Sequence, residues 1–358
     1  MIIDRYIIRE IIKPTVTICT VLVLIFGCYI AARYWEDAAQ GQLPGVIVLQ
    51  LILLRIIIAL EVMLPTTLYL SVVIALGRLY RDAEITAMFA CGISMTRIIR
   101  AVLLLSIMTG LVVACLSLYV RPWAWNQFFW LKAEAKSSFD LTRMKGGNFY
   151  KTDDGERVIF AEDVDNQKNQ AKHVFIQTQK DDSLQIIYAD KAVQFEDETT
   201  GKPIIVVQDG QLYEFSRTGD ESLILQFKNS AMHLEPKDVV QPAYKVKAAA
   251  TKALLHSNNL EEIAEMQWRL NTPLSIILLA LLGIPLSRTS PRQGKYANAP
   301  LAIIIFAVYY NLNAIMKKWV SQGVIGPLPG IWWGQLLLVV LLVLLLWQPA
   351  FFLHWRKR

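Results

Sequence analysis

The sequence is short of charged residues. Only 18% of its 358 residues are Asp, Glu, Lys or Arg, whereas a soluble domain has about 25%. The shortage is uneven, because residues 121–269 hold 42 of the 66 charged side chains and the other 209 residues hold 24. This distribution excludes an ordinary soluble globule and indicates a polar domain inserted into a membrane protein.

Cysteine is also scarce. The chain has four cysteines, and all of them lie outside residues 121–269, at Cys19, Cys28, Cys91 and Cys115. No pair has the spacing of a metal site, so no bound metal is expected. Because the polar segment has no cysteine, we expect it to fold through its sheet and its core, without disulfides.

The motifs of nucleotide hydrolysis and hydrolase chemistry are missing. The sequence has no G-x-x-x-x-G-K-[ST] phosphate loop, no G-x-S-x-G and no H-E-x-x-H. Its four histidines are isolated in sequence, and its carboxylates are concentrated in predicted turns. We therefore expect no catalytic residue and no cofactor bound by this chain, and a transporter, receptor or scaffold rather than an enzyme.

Long apolar runs are abundant. A helix needs roughly 20 apolar residues to cross the hydrocarbon core. The run 46–77 is interrupted by Arg55 and Glu61, and its first part, 46–54, either lies at the interface or extends the helix outward. This run and five charge-free runs predict six membrane spans. The charge-free runs are residues 14–32, 101–120, 270–287, 296–316 and 331–353.

Basic residues predict the orientation of these spans. Residues 1–13, 78–100, 288–295 and 356–358 contain 13 Lys and Arg, whereas the alternate loops 33–45 and 317–330 contain three. Because basic loops stay inside, both termini are expected in the cytoplasm and residues 121–269 on the outer side. The net charge of +6 thus reflects basic residues at the ends of the membrane spans, and no nucleic acid partner is expected.

The polar insert has the pattern of a β domain. Eight short β-rich runs separated by turn residues lie between about residues 147 and 234, with turns predicted at Asp154-Gly155 and Asp209-Gly210. They predict a sandwich or jelly roll. The run from residue 223 to 225 is apolar on both faces. This favours either a core flanked by an interdomain contact or a surface that receives an amphiphile, with Ile224 and Phe227 as its predicted contacts.

The basic loop 78–100 contains a predicted short helix, about residues 82–91. Asp82 is expected to cap it and Gly92 to end it. Glu84 lies in its first turn, and an apolar stripe follows at Ile85, Met88 and Phe89. The helix either lies on the lipid surface or docks a cytoplasmic protein. An acidic Glu84 in an otherwise basic loop favours the protein partner.

Four cations are predicted near the outer membrane surface. Snorkelling anchors and a site for lipid phosphates are the two alternatives for them. Glu61 lies within a span, where an ionisable group is a candidate functional residue or the partner of a cation on a neighbouring helix. The four cations are Arg33, Arg55, Lys317 and Lys318.

Three segments carry a resemblance to a known family. They are residues 2–10 (IIDRYIIRE), residues 76–92 (LGRLYRDAEITAMFACG), and residues 285–287 (PLS) with 291–294 (PRQG). With these segments, the whole chain resembles the lipopolysaccharide export permeases, the membrane subunits of an ABC exporter. The first two segments are more similar to the F-type subunit than to its G-type partner.

The resemblance implies a function and a set of partners. A permease of this family pairs with a second, G-type permease over a cytoplasmic ATPase dimer, which uses ATP and Mg²⁺. Lipopolysaccharide enters from the outer leaflet of the inner membrane and passes through the β-jellyroll to a membrane-anchored bridge protein and a periplasmic chain. The resemblance makes Glu84 the acidic contact to the ATPase and places Arg33 and Lys317 near the lipid phosphates. It assigns no role to Arg55.

The expected architecture has three parts. An α-helical membrane protein with six transmembrane helices carries an inserted all-β, jelly-roll-like domain. Its spans one to three, with the coupling helix, occupy residues 1–120, the periplasmic domain 121–269, and spans four to six 270–358. Alternatives are the G-type subunit, a membrane-anchored receptor, or a permease for another envelope lipid or lipoprotein, all in the bacterial inner membrane.

Overall fold

A computed structural model describes residues 2–39, 45–137, 146–151, 157–165, 169–180, 183–196, 203–216, 222–233, 244–288 and 298–347. The chain divides into two compact units. The first contains residues 1–29, 53–128 and 244–358, and the second contains residues 30–52 and 129–243. The first unit is helical, and the second contains a β-sheet inserted between the third and fourth long helices.

The six predicted spans are confirmed, since six helical segments of the described chain are long and apolar enough to cross a membrane. A short helix, α3, joins the second and third spans, and α6 precedes the fourth. In chain order the helices are α1 Ile2–Ala39, α2 Gly45–Arg81, α3 Glu84–Ala90, α4 Met95–Cys115, α5 Arg121–Ser137, α6 Thr251–Leu254, α7 Leu260–Leu286, α8 Ala299–Ser321 and α9 Trp333–Trp347.

Helix α2 and the continuous helix formed by α4 and α5 are longer than a bilayer requires. Helix α2 is continuous over 37 residues, so the segment 46–54 extends the span as helix, the second of its two predicted alternatives. Helix α4 continues through a π-helical turn, Leu116–Val120, directly into α5. A π-helical turn shifts the side chains that follow it around the helix axis, and such turns are frequent at functional sites.

Helix α7 forms the centre of the first unit. Twelve of its 27 residues are buried, and it packs against α4, α8 and α9. A buried polar cluster joins α7, α8 and α9, because the Gln335 amide donates to Asn271 Oδ1 at 2.6 Å and to Ser275 Oγ at 2.8 Å. Asn271 in turn donates to Asn313 Oδ1 at 3.1 Å. Side-chain hydrogen bonds of this kind fix the register of helices in a membrane.

Helix α1 is buried mainly near its ends. Ile7 and Ile11 are buried in a core cluster together with residues of α2, α3 and α4. By contrast, apolar side chains along its middle are exposed, among them Val16, Leu24 and Ile25. Exposed apolar residues in a membrane span face lipid or a further protein chain. The first unit therefore holds α1 chiefly through its N-terminal turns.

The inserted all-β domain is confirmed as a single six-stranded antiparallel sheet. The strands are neighbours in sequence order, so each pairs with the one before it and the one after it. The predicted turn at Asp154-Gly155 lies outside the described residues, and the strands on either side of it pair as expected of a hairpin. The strands are β1 Asn148–Lys151, β2 Arg157–Asp165, β3 Gln170–Lys180, β4 Ser183–Glu196, β5 Pro203–Ser216 and β6 Ser222–His233.

The sheet has six strands rather than the predicted eight because β4 and β5 are each continuous over two of the predicted runs. Asp209-Gly210 is not a turn, and β5 continues through it. Backbone pairing is interrupted at one residue in each of the five strands β2 to β6, and these residues lie side by side across the sheet. Two of them, Asp209 and His173, have positive φ angles of 51° and 47°. The row consists of Glu162, His173, Asp190, Asp209 and Lys228. The apolar side chains on both sides of this row face the same core.

Candidate functional site

A buried network of charges connects four spans of the first unit. Arg121, at the start of α5, places Nε 3.1 Å from Glu61 Oε2 and Nη2 3.1 Å from Glu265 Oε1. Arg269 Nε lies 3.3 Å from the same Glu265 oxygen, and the Lys317 ammonium binds the other one. Three cations thus share two carboxylates, and the network carries a net charge of +1.

The network is almost dry. Glu61, Glu265 and Arg269 are at most 2% exposed and Arg121 is 7% exposed. Burying an unpaired charge costs several kcal/mol, so each of these groups depends on its partners for its place in the interior. The Ser117 hydroxyl, in the π-helical turn, completes the arrangement by donating to Glu61 Oε1 at 2.7 Å.

Arg269 also holds the segment that returns from the second unit to the membrane. Its Nη1 donates to the Ala249 carbonyl at 3.0 Å and to Thr251 Oγ1 at 2.9 Å. Its Nη2 donates to the Lys247 carbonyl at 3.2 Å. A single guanidinium therefore links the buried carboxylates of the spans to the backbone that leads into α6 and α7.

Lys317 is the network's most exposed member. Its side chain keeps 22% of its surface exposed, against at most 8% for the other four. The ammonium lies 5.0 Å from the centre of the Trp268 ring, a distance at which a cation is attracted to the aromatic face. A ligand that reaches this network from outside meets Lys317 first.

The other predicted cations are placed differently. Arg55 stacks on the rings of Trp125 and Phe128, at 4.9 and 4.7 Å from their centres. Lys318 and Arg33 have exposed side chains. Among the four predicted cations, Lys317 is the one that the described contacts join to the buried network.

The sequence prediction missed three members of this network. Arg121, Glu265 and Arg269 lie in the polar insert as predicted, 121–269, whereas α5 and α7 place them at the ends of long helices. Two signals were available. Glu265 and Arg269 have the i, i+4 spacing of an intrahelical ion pair, and Glu265 is the last carboxylate of the sequence.

The short helix α3 lies between α2 and α4, within the predicted range. Asp82 does not cap it, because Ala83 occupies the cap with φ 61° and Asp82 instead pairs with Arg81 at 2.9 Å. Gly92 ends the helix as predicted, with φ 85°. The Gly92 N–H donates to the Phe89 carbonyl, and the N–H of residue 93 donates to the carbonyl of residue 88. These two hydrogen bonds form the Schellman pattern.

The apolar stripe of α3 faces the rest of its own chain. Ile85 is 1% exposed and belongs to the core cluster of α1, α2 and α4, and Phe89 packs against that cluster. Met88 is partly exposed. Glu84 is also partly exposed, and its Oε2 accepts a hydrogen bond from the Tyr6 hydroxyl at 2.6 Å. The stripe therefore anchors α3 and leaves Glu84 near the surface.

Further polar pairs tie the beginning of α1 to the same region. Arg78 Nη2 lies 2.5 Å from Glu10 Oε2, and Arg97 Nε lies 3.8 Å from Asp4 Oδ1. Together with the Tyr6–Glu84 hydrogen bond, they connect the first turns of α1 to α2, α3 and α4. A displacement of α3 would thus act directly on α1, the least buried of the six spans.

The two predicted apolar positions of the sheet differ in environment. Ile224 is 64% exposed on the edge strand β6, next to Leu223 and Leu225, which are 50% and 48% exposed. Phe227 is partly buried and covers Gly210 of β5, where a Cβ atom would lie 2.6 Å from the phenyl ring. Of the two predicted positions, Ile224 is therefore the one with an exposed side chain.

Comparison with known proteins identifies the chain. The family described as "Lipopolysaccharide export system permease LptF/LptG" matches residues 5–348. The chain belongs to this family. It is 28% identical to the lipopolysaccharide export system permease protein LptF of Escherichia coli K12 over 98% of this chain and 96% of the relative. The LptF protein of Shigella flexneri gives the same values.

Membership in the LptF/LptG family accounts for the missing phosphate loop, since a permease is a transport subunit without its own ATPase site. The family is a family of inner-membrane proteins with several spans, in agreement with the six long helices. The reported relatives are LptF proteins, which confirms the expected similarity to the F-type subunit. The motif at residues 291–294 lies outside the described residues.

Proposed function

We propose that this chain is the F-type permease of a lipopolysaccharide exporter and extracts its lipid from the outer leaflet of the inner membrane. The observation that carries the proposal is the family match, which extends over the long helices and the inserted sheet alike. After Glu265 the sequence contains Lys and Arg but no Asp or Glu. A chain of this composition suits an anionic cargo.

Lys317 and Arg33 are each proposed to contact a lipid phosphate, as the family resemblance implies, and Lys318 is proposed as a further cation. The network around Lys317 has a net charge of +1 and one partly exposed ammonium, so a phosphate gains attraction there without unpairing a buried carboxylate. The aromatic stacking of Arg55 supports an anchoring role for that residue instead.

Transport is proposed to be driven by a separate cytoplasmic ATPase dimer that docks on α3. Helix α3 is fixed to its own chain through Ile85, and Tyr6 orients the Glu84 carboxylate. Because Glu84 is partly exposed, it can accept hydrogen bonds from a basic side chain of the ATPase. The direct link to α1 then offers a path from ATP hydrolysis to the first span.

The remaining partners are proposed from the family. A G-type permease would cover the exposed apolar length of α1, and ATP and Mg²⁺ would be bound by the ATPase alone. The sheet would receive the lipid and pass it to a membrane-anchored bridge protein and a periplasmic chain. The apolar side chains of β6, including Ile224, support this role because both faces of an edge strand are exposed there.

The Glu84→Lys substitution tests the docking role. The full-length chain is purified with an affinity tag from native membranes, and ATPase activity in the eluate is measured. We expect Glu84→Lys to leave the chain inserted and to reduce co-purified ATPase activity at least about tenfold, because a charge-assisted contact becomes a repulsion.

Glu36→Lys is the matched control, since it makes the same charge change at an exposed position near the other end of α1. It should retain the ATPase. Unchanged ATPase activity with Glu84→Lys would exclude docking through Glu84, whereas an eluate of the wild-type chain without ATPase activity would favour a membrane-anchored receptor. A retained ATPase with bound lipid other than lipopolysaccharide would instead indicate a permease for another envelope lipid.

A further inference from the structure

A groove between α1 and α2 lies at the basic end of these spans and has not been assigned a role. Its volume is about 310 Å³, within the range of roughly 300–1,000 Å³ usual for small-molecule sites. Charged side chains lie at one level of the groove, at Glu10, Lys13 and Arg78. All of the groove residues belong to the first unit.

The positions of Lys13 and Arg78 mark the level of the lipid headgroups. Lys13 is the last charged residue before the charge-free run 14–32, and Arg78 is the first charged residue after the apolar run of α2. Next to them, the groove is lined by residues of the membrane-embedded runs, among them Ile18 and Ile74. A ligand that fills it must therefore combine an anionic group with an apolar chain.

The charged group retains capacity to bind an anion. Glu10 accepts from Lys13 Nζ at 2.9 Å and from Arg78 Nη2 at 2.5 Å, so the three residues carry a net charge of +1. The Lys13 side chain is 59% exposed and has further N–H donors. Within the described part of the chain, Arg78 Nε is buried without a hydrogen-bond partner, an arrangement that costs free energy until an acceptor arrives.

We propose that this groove binds an anionic phospholipid of the leaflet that the basic loops face, with its phosphate at Lys13 and Arg78 and one acyl chain along Ile18 and Ile74. Basic pockets between spans are known to recognise anionic headgroups on this side of membranes. The lipid is distinct from the transported cargo, because the groove lies at the opposite end of the spans from Lys317. It would further stabilise the first turns of α1, which contact α3.

The test measures lipid retention by the full-length chain. The protein is extracted from phosphatidylcholine nanodiscs that contain a minor fraction of phosphatidylglycerol, and retained lipids are counted by native mass spectrometry. The wild-type chain should retain phosphatidylglycerol in preference to phosphatidylcholine. Lys13→Gln should lower this retention about fivefold, the effect expected of one basic residue near an anionic headgroup.

Two further variants separate the groove from general charge. Arg100→Gln removes an exposed cation from the same basic side outside the groove, and it should leave retention unchanged. Thr17→Trp keeps the charge and fills the groove from an exposed position, and it should abolish retention.

Three results would overturn the proposal. The first is an equal loss with Lys13→Gln and Arg100→Gln, which would mean attraction by overall charge. The second is equal retention of phosphatidylcholine and phosphatidylglycerol. The third is displacement of the lipid by millimolar inorganic phosphate, which would identify a site for the free anion. None of these readouts depends on the ATPase or on lipopolysaccharide, so failure here leaves the proposed transport function standing.

Discussion

Glu265 is the residue on which the buried network depends. Its two oxygens face Arg121, Arg269 and Lys317, and its only fellow carboxylate in the network is Glu61. Removal of its charge would leave three cations with one counter-charge in a site that is nearly free of water. In a buried pair, the loss of one partner costs far more than the pair itself contributes, because the remaining charge stays buried.

We expect Glu265→Gln to destabilise the protein by about 3–5 kcal/mol. The measurement is the free energy of unfolding of the full-length chain in mixed micelles, followed by denaturant titration. Glu261→Gln is the matched control, since Glu261 lies one turn earlier on α7 with an exposed side chain. It should cost no more than about 1 kcal/mol.

A second substitution checks the physical reason. In the double variant Glu265→Gln/Lys317→Gln one excess cation is removed, so the double variant should be more stable than the sum of the two single effects predicts. Strict additivity would show that Lys317 and Glu265 do not interact energetically. Lys317 would then be free for a lipid phosphate without competition from Glu265.

At the scale of elements, the sheet shows how one local signal can have two structural outcomes. Asp209-Gly210 has the composition of a turn, since Asp tolerates positive φ and Gly has no Cβ. In β5 the same pair instead forms a kink, with Phe227 lying over Gly210. The pairing is interrupted on one row across five strands, and apolar residues on both sides of the row face the same core.

The kink predicts a specific sensitivity in β5. We expect Asp209→Val to destabilise the sheet by about 1–2 kcal/mol, because a β-branched residue is strained at φ 51°. Amide hydrogen exchange of β5 in the full-length chain should accelerate about tenfold. The same new residue at the neighbouring, paired position, Gln208→Val, should have little effect, since Val favours strands.

Equal acceleration by both substitutions would mean that Val is disfavoured anywhere on this surface. The positive φ angle of Asp209 would then not be the cause. Asp209→Gly extends the comparison, because glycine adopts positive φ without strain and should preserve the exchange rate of the wild-type sheet.

At the scale of the whole molecule, charge predicts the side of the membrane on which each part lies. Thirteen Lys and Arg in four short segments, against three in the alternate loops, should place α3 in the cytoplasm and the sheet in the periplasm. An impermeant thiol reagent can test this with Cys91, which is exposed next to α3, and with Lys228→Cys on β6.

The other three cysteines are replaced by alanine for this experiment, and the vesicles are washed free of peripheral proteins. Cys91 should react in inverted vesicles, and the cysteine placed at position 228 should react in right-side-out vesicles. Reaction of both from the same side would overturn the predicted topology. It would also remove α3 from the reach of a cytoplasmic ATPase.

The sequence alone predicted the parts of this protein that local composition determines. Bilayer thickness fixes the length of a spanning run, so six apolar runs predict six helices. Alternation and turn residues predict an all-β insert. The end of α3 was predictable for the same reason, because Gly92 is the residue that adopts the conformation required there.

Only the tertiary structure decided which charges meet. Arg121 and Glu61 are 60 residues apart, and Lys317 and Glu265 are 52 residues apart. Local composition contains no information about such pairs, because they form only after the helices pack. Likewise, Asp209-Gly210 became a kink rather than a turn because β5 pairs with both β4 and β6 on either side of this position. The sequence thus determined the elements and predicts their sides of the membrane, whereas packing placed Lys317 in the buried network and Arg55 against its aromatic neighbours.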